Sequence, residues 1–60
     1  MFYVKQVKMK DGSYKWAIKN RVTHKTARNP YSSGYAYYDT QEEAERNVEA
    51  VMMVYEQENP

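Results

Sequence analysis

Cysteine is absent, so neither a disulfide framework nor thiol chemistry is open to this chain. Leucine is absent as well, and isoleucine occurs once, at Ile18. The apolar stock is therefore valine, methionine and aromatics, with seven tyrosines supplying much of the bulk. A tyrosine ring buries well, but its hydroxyl needs a partner or water. Sixty residues of this kind make one small domain, 1–60, with a thin core close to its surface. A homodimer is one way to bury more of it. No apolar run approaches the roughly 18 residues that span a bilayer. Met1–Lys5 has neither the charged start nor the apolar stretch of a signal peptide. The expectation is a soluble, cytoplasmic protein with no membrane partner.

Histidine is nearly absent too. His24 stands alone beside Lys25, whereas a metal centre needs several such ligands, so neither a metal nor a cofactor is expected. Ser32 and Ser33 have no base to activate them other than that same histidine. Asp11-Gly12 reads as a turn and not a phosphate loop, because no glycine-rich run precedes a helix. The chain does not read as an enzyme.

What is present is charge, and it is divided. Residues 1–28 hold eight of the nine bases and one acid, Asp11. From Asp39 onward, seven acids face a single base, Arg46. Each half can attract an opposite partner although the whole is almost neutral.

Local pattern gives the elements. Phe2–Lys10 is rich in β-branched, aromatic and lysine residues, and Asp11-Gly12 follows as a hairpin turn in which both positions tolerate positive φ. Ser13–Thr23 then alternates: Tyr14, Trp16, Ile18 and Val22 fall on one face, Lys15, Ala17, Lys19 and Arg21 on the other, with Asn20 as an interruption. The first strand is less regular, since Val7 and Met9 are out of phase with Phe2 and Val4. A bulge near Lys5 or a frayed start reconciles them. The stretch from His24 to Gly34 is polar and turn-rich and reads as a long, mobile loop. Tyr35–Tyr38 is a short third strand of undecided phase. Thr40 with Glu43 forms a capping box, and Ala44, Val48, Val51, Met52 and Tyr55 recur at helical spacing from Gln41 to Gln57. The fold class is α+β, a three-stranded antiparallel sheet packed on one C-terminal helix in the order β-β-β-α.

In that architecture the helical stripe covers the Tyr14, Trp16, Ile18, Val22 side. The opposite face is left open with Lys15, Lys19 and Arg21, joined by Lys8 and Lys10 from strand one. An exposed row of bases on a sheet suits phosphate, and a twisted ribbon can enter a groove of nucleic acid. The loop bases Lys25 and Arg28 extend the same surface. DNA, or RNA, is the first expected partner.

Gly12-Ser13-Tyr14-Lys15-Trp16-Ala17-Ile18 and Tyr38-Asp39-Thr40-Gln41-Glu42-Glu43-Ala44 resemble the plant ethylene-response type of DNA-binding domain. They are equally similar to the arm-binding domain of phage tyrosine recombinases. The resemblance spans residues 7–55 and implies a sheet that reads DNA with its uncovered face, where Lys15, Lys19 and Arg21 fall. A weaker similarity, carried by Asp11-Gly12, Tyr14, Trp16, Ser32-Ser33-Gly34-Tyr35 and Asn47–Val51, is to the YegP-like family and implies a dimer.

The alternative function is a small phage-type factor or inhibitor that docks on a host protein. Its contacts would be the acidic helix, with Glu42, Glu45, Glu49 and Met53, or a sheet edge.

Overall fold

The computed structural model describes residues 1–58. Strands β1 (Phe2–Lys8), β2 (Tyr14–Asn20) and β3 (Tyr37–Tyr38) precede helix α1 (Gln41–Glu58). The sheet is antiparallel, with β2 in the centre and the order β1-β2-β3. The α+β class and the β-β-β-α order are as the sequence predicts.

The β1–β2 hairpin closes through three residues rather than two. Met9 N–H donates to Ser13 O (2.7 Å) and Gly12 N–H to Met9 O (3.0 Å), so Lys10, Asp11 and Gly12 form the loop. Within this loop only Gly12 takes a positive φ, at 89°, a conformation that costs glycine little. Asp11 Oδ1 accepts from both the Ser13 N–H and the Ser13 hydroxyl, which holds the turn.

Pairing between β1 and β2 runs unbroken from Phe2 opposite Asn20 to Lys8 opposite Tyr14. The bulge or frayed start suggested by the phase change is therefore corrected. Phe2 and Val4 take the covered phase, shared with Trp16 and Ile18, and they join Ala36, Tyr38, Ala44 and Val51 in the core. Val7 has the opposite phase and lies on the uncovered side.

Ile18 is the pivot of the sheet. Its carbonyl accepts from Ala27 N–H (2.8 Å) while its own N–H donates to Ala36 O (3.2 Å), and Ala36 N–H donates to Ala27 O (2.8 Å). One end of β2 thus pairs with β3, and the other with residues 25–27, after which 27–29 bond with 34–36. The expected loose loop is in fact this inserted hairpin. Asn20 explains its own interruption of the strand pattern. Its side chain accepts from Val22 N–H and Thr23 N–H and turns the chain out of β2.

The helix begins where Thr40 Oγ1 accepts from Glu43 N–H at 3.1 Å, the cap the sequence predicts. It starts beside the Trp16–Tyr38 pair and ends beside Phe2, whose ring meets Tyr55 edge-on at 5.4 Å. Four residues expected in the core fall outside this cover or at its rim. Met52, on the outer side of the helix, and Tyr55, at its end against Phe2, are both exposed. Tyr14 lies past the helix start and is 59% exposed, and Val22, in the turn after β2, is 78% exposed. Ile18 is fully buried. No helix among the described residues is long and apolar enough to cross a membrane.

Candidate nucleic-acid interface

Because strand side chains alternate, the register assigns every side chain of the open face. Tyr3 pairs with Lys19, Lys5 with Ala17, Val7 with Lys15, and Ala17 on its other side with Tyr37. The uncovered face of the sheet is thus a lattice of Lys5, Lys15 and Lys19 interleaved with Tyr3, Val7 and Tyr37. Ala17 is fully buried yet stands outside the helix-side core. Its methyl lies at the floor of the face between Lys5 and Tyr37.

The bases differ in their surroundings. Lys15 Nζ sits 2.5 Å from Asp39 Oδ1 in the linker before the helix, and that carboxylate raises the lysine pKa above its ordinary value. Lys19 Nζ reaches His24 O at 3.4 Å. Arg21, in the turn beyond β2, holds its guanidinium 6.0 Å from the Tyr3 ring centre, at the outer limit of a cation–π contact. The Tyr3 hydroxyl lies 3.3 Å from His24 Nδ1, and His24 takes a positive φ of 62°. Among the described residues Lys15 is the one base of this face held in an ion pair. Lys5 and Lys19 keep their charge available.

Of the bases expected at the site, Lys15, Lys19 and Arg21 do converge on the open side. Lys8 does not belong there by phase. It pairs with Tyr14, in step with the covered residues. Lys10 lies in the hairpin loop at the end of the face. Lys25 and Arg28 are exposed on the inserted hairpin, where Arg28 bridges to Tyr35. Lys5, Tyr3 and Tyr37 complete the face although the sequence pattern did not single them out. The signal for Tyr3 and Lys5 was the alternation of Tyr3, Lys5 and Val7, masked by Val7 being apolar on the uncovered side, and Tyr37 had none.

The chain matches no family model, no curated protein and no solved structure.

Six of the eight acids lie on α1, on the other side of the sheet, while Asp39 pairs with Lys15 and Asp11 holds the β1–β2 turn. Glu42, Glu45 and Glu49 are exposed along α1, and Glu42 pairs with Arg46 one turn on at 2.7 Å. Met53 is 56% exposed on the same helix. Among the described residues no three histidines, cysteines or acids cluster as metal ligands would.

Proposed function

We propose that this chain is a small nucleic-acid-binding module that engages DNA or RNA with the uncovered face of its sheet. One observation carries the reading: Lys5, Lys15 and Lys19 share a phase on a face that the helix does not shield. Arg21 extends the cationic row at one end and Lys10 at the other, while the acids of α1 point away from an approaching polyanion. Phosphate attraction of this sort needs no enclosed pocket.

The test is a gel-shift or anisotropy titration with the double variant Lys5→Glu and Lys19→Glu. These two are better probes than Lys15, whose reversal would set a glutamate against Asp39 and disturb the fold as well as the charge. The expected result is loss of binding at low salt, with the melting temperature and Trp16 emission kept. Trp16 packs against the core on the opposite face and reports folding independently. Undiminished binding by the folded variant would refute the assignment.

A second reading has its own support. Met52 and Met53 are 38% and 56% exposed on α1, with Glu49 and Glu56 nearby. An apolar strip edged with acids fits a basic protein surface. Under that reading reversal of Glu42, Glu45 and Glu49 abolishes function and the lysine changes do not.

A further inference from the structure

We infer that the ligand of the open face is a single strand rather than a duplex, an inference that rests on the nucleic-acid reading above. The face is not a plain lattice of charge. Two shallow hollows, of about 540 and 430 Å³, meet at Lys19, Thr26 and Tyr37 and form one trough across it. Val7 and Met9 line one end of the trough, and Tyr35 lines the other.

The trough therefore mixes rings and apolar side chains with cations along its length. Tyr37, Lys19 and Thr26 share its middle, and Lys8 and Asp11 also line the end with Val7 and Met9. Lys10 stands at the end with Val7 and Met9, Lys25 at the end with Tyr35, and Lys19 between them. Phosphates have no use for Val7, Met9 or a tyrosine ring. The faces of bases do, and a duplex keeps those faces stacked inside. A single strand can turn its bases onto the rings while its phosphates follow the lysines set among them. Two tyrosines of the lining, Tyr35 and Tyr37, are then stacking platforms, and stacking tolerates every base.

The experiment uses the intact chain at low salt with labelled oligothymidylate of about 15 nucleotides and a duplex of the same length. Tyr37→Ala, Tyr37→Phe and Tyr35→Ala are compared with the natural sequence, each checked by thermal melting. Oligothymidylate should bind about tenfold more tightly than duplex, and Tyr37→Ala should weaken the strand complex about tenfold. Duplex binding should stay within about twofold, and Tyr37→Phe, which keeps the ring, should retain the strand. If Tyr37→Ala melts, Tyr35→Ala decides, since Tyr35 is 62% exposed and outside the core. A duplex that binds as tightly as the strand, or alanine variants of unchanged affinity, overturns the inference and leaves the basic-face reading standing. Failure to bind either probe removes both.

Discussion

Tyr38 shows what a core built on tyrosine costs. Its residue is 8% exposed, and its hydroxyl is buried with no hydrogen-bond partner among the described residues. Burial raises the phenol pKa, with the Glu43 carboxylate adding to the shift. A phenolic oxygen in that position has lost water and gained nothing in return. Tyr38→Phe should therefore be neutral or stabilise the fold by about 1 kcal/mol, read as an unchanged or raised melting temperature. Asp11 presents the opposite case. The Ser13 hydroxyl and backbone N–H hold its pKa below the ordinary 3.8. A depressed carboxylate contributes stability that is fully present above its unfolded value and is lost as pH falls through its folded one. Melting curves below pH 3.8 should show that loss, and Asp11→Asn should abolish it.

At the scale of elements, the helix is set by its cap and by a short buried stripe. Thr40→Ala should cost about 1 kcal/mol by leaving the Glu43 N–H without its acceptor. The fork at Ile18 is more demanding, because three backbones meet there over two alanines. Ile18→Ala should cost about 3 kcal/mol, a large share of what so small a domain holds, and chemical denaturation would measure it. The helix and the second strand were legible in the sequence, since Thr40, Ala44, Val48 and Val51 follow helical spacing and Trp16 and Ile18 share a phase. The first strand misled for a physical reason. Val7 is apolar on the side that the helix leaves uncovered, so hydrophobicity did not mark the covered face. The inserted hairpin was hidden because backbone bonds from Ala27 and Ala36 hold it, and such bonds leave no trace in side-chain type. Tyr35–Tyr38 offered no alternation, and the inward choice of Ala36 and Tyr38 is made by the pairing with β2. The site was legible in its lysines on β2 and illegible in Lys5, whose phase follows from the same misreading.

For the whole molecule, the governing fact is that Lys5, Lys15 and Lys19 share the open face while six acids lie on α1. Asp39 crosses to pair with Lys15, and Arg46 stays among the acids. With Lys10, Lys19 and Lys25 as the phosphate contacts, the logarithm of affinity should fall against that of salt with a slope of about two for a single strand. Removing one lysine should lower that slope by roughly 0.7, and titrations at several salt concentrations would measure both. The sorting acts before any contact is made. In the field of a polyanion the molecule experiences a torque as well as a pull, and it turns its sheet toward the source while still a Debye length away. Seated as proposed, it would show its neighbours a negative back. A copy arriving later would turn its own basic sheet toward that back, so the same sorting favours head-to-tail stacking that salt disperses.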